Sequence, residues 1–237
     1  VYFNTAVGYE AGKNFTTASG NTAVGHQALL GSSTIGSSTG GDNVAIGKGT
    51  LKNVTTGNSN TAVGGGALAN LTTATVNVAV GLGAADAITS GSENVAIGYT
   101  SFGNNQTGVQ SVAVGAHALA FATGSHNTAV GYEACRDLTT GTHNVALGKE
   151  ALQDCQTGGT NIAVGYRAMR VNKASNNVAV GTQALELNDT GTQNVAIGNY
   201  ALDANTTGDI NVAVGYLAMT NNTTGSQNTA MGVQSMN

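Results

Sequence analysis

The chain has 237 residues and a net charge of −4, with only 8% charged and 5% aromatic residues, 35 Gly and neither Pro nor Trp. The few Lys and Arg form no basic run, which excludes the electrostatic footprint of a nucleic-acid binder, and no stretch of about 18 apolar residues is present to span a membrane as a helix. Hydrophobic residues nevertheless reach 41%, mostly as regularly placed Ala and Val, and this regularity separates the chain from a disordered one of similar polarity.

Read from the N-terminus, the regularity is a repeat. A pentapeptide on the pattern Asn, Thr or Val, Ala, Val or Ile, Gly occurs fourteen times. It begins at Asn4, Asn21, Asn43, Asn60, Asn77, Asn94, Ser111, Asn127, Asn144, Asn161, Asn177, Asn194, Asn211 and Asn228. The spacing is 17 except for 22 after Asn21 and 16 after both Ser111 and Asn161. Ala follows three residues after most of the Gly residues, then Leu or Met, and a Thr-Thr-Gly turn often closes the unit, as at Thr139-Thr140-Gly141. Seventeen residues are too few for a helix pair or a propeller blade and suit one coil of a β-solenoid. The repeat covers residues 1–237 as a single tandem array, an all-β parallel β-solenoid or β-roll of about fourteen 17-residue coils. Coils stacked at a strand spacing of about 4.8 Å would form a rod on the order of 67 Å long.

Each position in the coil carries its own expectation. The motif Asn should form a ladder between coils, amide to amide. The Gly present in every copy, Gly8 to Gly232, implies a positive φ or a close backbone approach. Alternation along the strand sends Val95 and Ile97 to one face and Ala96 to the other, and the Val and Ile are expected inside with the Ala outside. On that reading the constant Ala is an inter-chain stripe: Ala6, Ala23, Ala45, Ala62, Ala79, Ala96, Ala113, Ala129, Ala146, Ala163, Ala179, Ala196, Ala213 and Ala230. A flat apolar stripe of this kind calls for a partner chain, and three chains about the long axis make the simplest closed arrangement.

Ser111-Val112-Ala113-Val114-Gly115 and Asn94-Val95-Ala96-Ile97-Gly98 resemble the head repeats of trimeric autotransporter adhesins of the YadA type. The Asn-Thr-Ala-Val-Gly-Tyr form is similar to repeats of phage tail fibres. The resemblance runs through all fourteen units. It implies a left-handed, trimeric roll on a bacterial surface or virion tail, extracellular, that binds a host surface, matrix protein or glycan. The period is longer than that family's usual coil, and the extra residues are expected to enlarge the Thr-Thr-Gly turn. The family's anchor and stalk are not in the sequence, and flanking domains are expected in a longer protein.

Sites for chemistry are few. The chain has no nucleophile–base motif, phosphate loop or zinc spacing, so neither an enzyme nor a cofactor is expected. His126 and His143 precede motif Asn residues in adjacent coils and should stack, and Asp137 and Asp154 share one repeat position. These four are weak metal candidates, since imidazoles and paired carboxylates can ligate, although exposed turn residues explain them as well. Residues 127–176 hold nine of the twenty charged residues, and there Glu133, Arg136, Glu150, Arg167 and Arg170 form a possible partner patch. The extra five residues near Ser32–Gly41 should bulge as a loop. Cys135 takes the place of a core Leu or Met, and Cys155 lies in the next coil, a pairing left open. Two alternatives to an adhesive fibre are an ice- or surface-binding solenoid, for which the Thr array is broken, and an enzyme cleft between coils, for which only Asp137 and Asp154 lie close enough.

Overall fold

A computed structural model of the chain describes residues 3–32 and 38–237. Its elements are three-residue strands separated by turns. The chain divides into two compact units, Val1–Thr123 and Gly124–Asn237. The first contains β1–β7: Thr5–Val7, Thr22–Val24, Val44–Ile46, Thr61–Val63, Val78–Val80, Val95–Ile97 and Val112–Val114. The second contains β8–β14: Thr128–Val130, Val145–Leu147, Ile162–Val164, Val178–Val180, Val195–Ile197, Val212–Val214 and Thr229–Met231. Within each unit every strand pairs in parallel with the next in sequence, Ala opposite Ala. The architecture is the parallel β-solenoid that the repeat predicts.

The strand faces are reversed from the sequence expectation. The central Ala points inward: from Ala23 to Ala230 the column is 0–3% exposed within a single chain. Only Ala6, in the first coil, is exposed. The flanking residues point outward, among them Ile46 at 41%, Val80 at 37%, Ile97 at 39% and Ile197 at 40% exposed. The Ala column from Ala23 to Ala230 is therefore not an inter-chain stripe, because its methyls are already covered by their own coils, and the exposed Ala6 alone does not make one. Its constancy has a steric cause. The interior of the roll is narrow and is filled from the opposite wall by a second Ala column (Ala28, Ala67, Ala118, Ala151), by Leu and Met (Leu68, Leu119, Leu152, Met169), and by a column running through Val54, Leu71, Ile88 and Leu138, all fully buried. A larger strand residue would overfill that space, and overpacking costs about 1–3 kcal/mol.

The motif Asn is also interior. Asn43 to Asn211 are at most 1% exposed, and Asn144 shows the full bonding pattern, which Asn60, Asn77, Asn94 and Asn211 share. The Asn144 backbone N–H donates to Asn127 Oδ1 (3.0 Å), and its Nδ2 donates to Asn127 Oδ1 (3.2 Å) and to the Gly158 carbonyl (2.9 Å). The ladder expected from sequence is present, and it ties each strand start to a turn as well as to its neighbour. A second ladder was not foreseen. Asn172, Asn188, Asn205 and Asn222 continue the apolar column of Val54 and Leu71, and they are joined by Nδ2–Oδ1 bonds of 2.7, 2.9 and 3.2 Å.

Each coil closes through residues in the left-handed region. Leu, Met or Cys takes φ near +50° just after the second Ala, as at Leu68 and Met169, and the residue before the motif Asn takes φ near +60°, as at Asp42 and His143. At that second position Val76 (φ 59°) and Ile210 (φ 57°) are β-branched, and both are exposed. Left-handed backbone costs an ordinary L-residue about 1–2 kcal/mol, while Asn tolerates it. Asn176 holds the same place in another coil at φ 64°. We therefore expect Val76→Asn to raise stability by about 1 kcal/mol, measured by urea unfolding with an unchanged m-value.

Ser38 re-enters the core column after the insertion, pairing as an isolated parallel bridge with Phe15 and accepting from the Ser32 N–H at 2.8 Å. Residues 33–37, within the loop expected near Ser32–Gly41, lie outside the described residues. No helix among the described residues is long and apolar enough to cross a membrane.

Candidate functional site

Three surfaces can be assembled from the columns. The first is the outer face of the sheet, with an apolar column formed by the third strand residues and a mixed column of Val, Ile and Thr formed by the first. In β8–β14 its third-residue column is Val130, Leu147, Val164, Val180, Ile197, Val214 and Met231. Beside it runs the residue after the motif Gly, where Tyr9, Tyr99, Tyr132, Tyr166 and Tyr216 are 38–67% exposed. Lys149 lies between two of these rings, 5.7 Å from the Tyr132 centroid and 5.8 Å from that of Tyr166, and Arg167 lies 5.0 Å over Tyr166. These side chains form a rim of aromatic and basic groups along one edge of the apolar face.

The second surface is the charged patch in the second unit, which the structure assembles as two bonded groups, one around Arg136 and Arg170 and one around Arg167. Arg136 donates to Glu133 at 2.8 Å and through two nitrogens to Asp137 at 3.0 and 2.7 Å, with Asp154 at 3.8 Å. Arg170 binds Asp154 at 3.1 Å and Glu186 at 3.0 Å, and Arg167 binds Glu150 at 2.6 Å. Gln153 donates to Glu133. Glu133, Arg136, Glu150, Arg167 and Arg170 are thus brought together, and Glu186 and Gln153 complete a set that the sequence reading left unfinished. The signal was present, since Arg136, Gln153, Arg170 and Glu186 occupy one repeat position. Arg167 bonding, with Lys149 beside it, holds the Glu150 carboxyl below its ordinary value. Burial raises that of Asp154, with Arg170 opposing.

This bonding bears on the metal candidates. Both Asp137 and Asp154 have guanidinium partners, so a cation would have to displace a two-pronged hydrogen-bonded ion pair. His126 and His143 do stack, with centroids 4.8 Å apart and planes 9° apart. No group of three or more His, Cys, Asp or Glu that could hold a metal occurs among the described residues. Cys135 and Cys155 are free and buried. Burial raises both thiols, Cys155 to about 11, which keeps them protonated, as the hydrophobic reading of Cys135 requires.

The third surface is a depression in the first unit, of about 380 Å³, between Asp86, Asn104, His117 and Phe121. No sequence motif marked it. Comparison of the chain with protein-family models, with curated proteins and with solved structures finds no match.

Proposed function

We propose that the chain is a structural and adhesive segment of an extracellular homotrimeric fibre, of the kind found on a bacterial surface or phage tail, and not an enzyme. The observation that carries this reading is the outward apolar face. Val, Ile, Leu or Met fills the outward third strand position in every coil, and Val or Ile fills the half-buried to exposed first position in nine of fourteen, although a solvent-facing strand position would ordinarily be polar. A contiguous apolar surface of this kind marks an interaction site, and a repetitive stripe is complementary to a second copy of itself. Closed rotational symmetry then limits the assembly to a small number of chains. Placing the Val and Ile face at the interface keeps the oligomer inferred from the sequence and changes only the residues that form it. The resemblance of the repeats to adhesin heads and tail fibres supports the same reading and supplies the trimer.

Adhesion would follow from presenting the lateral surfaces many times along a fibre, where multivalency converts weak contacts into firm attachment. The test is oligomeric state. The chain is expected to sediment as a trimer, and Val180→Lys with Ile197→Lys is expected to give a folded chain of lower mass, because two lysines per chain would have to lose their hydration at the apolar seam. The ice-binding alternative needs an ordered Thr surface. The first strand position is Thr only at Thr5, Thr22, Thr61, Thr128 and Thr229, too scattered to form one.

A further inference from the structure

In the second unit, the position after the core Leu, Met or Cys is filled by Arg136, Gln153, Arg170 and Glu186, which cover the flank of the roll with the charged network. In the first unit the same position is Gly103 and then Ala120, and the flank is left open there. The opening becomes the floor of the 380 Å³ depression. Thr100 and His117 stand on one side, with Thr100 Oγ1 and His117 Nδ1 2.8 Å apart, and Asn104 and Phe121 stand on the other. Asp86, one coil earlier at the floor position, closes the end.

We infer that this trough is a carbohydrate-binding site, which takes a pyranose by its hydroxyl edge against Asp86 and Asn104 and by its C–H face against Phe121.

Three features support the assignment. Asp86 is a half-buried carboxylate with no cation within ion-pair distance among the described residues. Its bonds are to backbone N–H groups of its own turn, and burial raises its pKa. A partly desolvated acceptor left in this state favours a ligand that brings hydroxyl donors. Asn104 uses Nδ2 on the Ala120 carbonyl at 3.0 Å, which leaves Oδ1 as a second acceptor on the opposite wall. Phe121 is 50% exposed. A large apolar ring held half in solvent beside these acceptors has a negative face suited to polarised C–H groups. A quaternary or primary ammonium fits less well, because such cations are recognised by several aromatic walls and the trough has one. Its volume lies at the low end of small-ligand sites.

The site rests on the adhesive reading for its biological purpose, but its test is separate. The intact chain is titrated with methyl α-mannoside, methyl β-galactoside, N-acetylglucosamine and, as a cation control, tetramethylammonium, by saturation-transfer NMR. At about 0.3 kcal/mol per ligand heavy atom, one pyranose should bind with a Kd on the order of 1 mM. Phe121→Ala and Asp86→Asn should each weaken binding at least about tenfold, as loss of one hydrogen-bonding or stacking partner would. Ala120→Gln, which places at the floor the residue that Gln153 provides in the second unit, should abolish it. Phe121 and Asp86 reach the surface of the flank, whereas Ala120 is buried at the floor with 5% exposure, and an unchanged melting temperature shows that all three variants fold. Absence of binding by all three sugars, sugar binding that survives Ala120→Gln, or binding of tetramethylammonium alone would overturn the assignment. Sedimentation of the same samples separates the two readings. A trimer that binds no sugar contradicts only the trough, and a monomer whose sugar binding depends on Phe121 contradicts only the fibre.

Discussion

Gly148→Ala should destabilise the chain by about 3–5 kcal/mol, and the equivalent substitution at column positions such as Gly8 and Gly215, where a Cβ would also meet the next coil's backbone, should act similarly. Gly148 has φ +138°, a region that residues with a side chain rarely adopt. A Cβ built there would lie 2.5 Å from the Gly165 carbonyl oxygen and 2.7 Å from its carbon. The obstruction is backbone of the next coil and cannot swing aside. The added methyl therefore has to spread two coils, which would break the ladder on both sides, or twist the strand end out of its conformation. The backbone conformation contributes about 1–3 kcal/mol and the overlap a similar amount. Gly66 is the control. It has φ +71°, and nothing lies within 4 Å of its added Cβ. Because Asn tolerates the left-handed region, Gly66→Asn should change stability by less than about 1 kcal/mol. Chemical denaturation of both variants compares a position that is strained and blocked with one that is open and whose backbone Asn tolerates.

The second large effect is expected in the Asn ladder. Asn144→Ala removes the donor to the Gly158 carbonyl and to Asn127 Oδ1, and removes the acceptor that the Asn161 N–H reaches at 3.0 Å. All of these groups lie where water does not reach, and a buried group left without a partner costs about 1–3 kcal/mol. A loss of about 3–5 kcal/mol is expected, less than the full sum because the coils relax. Asn144→Asp should be worse at neutral pH than Asn144→Ala. It would keep the acceptor but set a buried carboxylate against the Gly158 carbonyl and Asn127 Oδ1, with no donor to offer them. Asn144→Ser should be milder than either, since Ser111 occupies the motif position in its own coil and its hydroxyl donates to the Val109 carbonyl at 3.3 Å. A ranking by urea midpoint in the order Asn, Ser, Ala, Asp would establish that the ladder's donors, and not only its bulk, stabilise the coil.

Much of this was legible from the sequence because a solenoid repeats its physics. The Gly column, the Asn ladder, the stacking of His126 on His143 and the interior place of Cys135 each follow from one coil and then hold for the rest. The direction in which the strand faces was not legible. A run such as Val95-Ala96-Ile97 alternates equally well with either face inward, and larger apolar residues ordinarily go inside. What reverses the choice is the width of the roll. The space between the sheet and the opposite wall holds the Leu and the second Ala, with room for only a methyl from the strand, and that width is a property of the closed coil. The second Asn ladder escaped notice for a related reason. Asn172 and Asn188 lie in polar turns like many exposed Asn, and only their alignment with Val54, Leu71 and Ile88 shows that the column points inward. The trough in the first unit depends on what Gly103 and Ala120 lack, and it becomes visible only when their counterparts Arg136 and Gln153 are seen to fill the same place.

The outward Val and Ile face is the basis of the fibre reading, and sedimentation equilibrium of the purified chain over a range of concentrations tests it most directly. The expected mass is that of three chains, each of 23.4 kDa, and it should fall when Val180 and Ile197 are both replaced by Lys while the β-rich circular dichroism spectrum is retained. A folded monomer at every concentration, with the apolar face open to solvent, would contradict it.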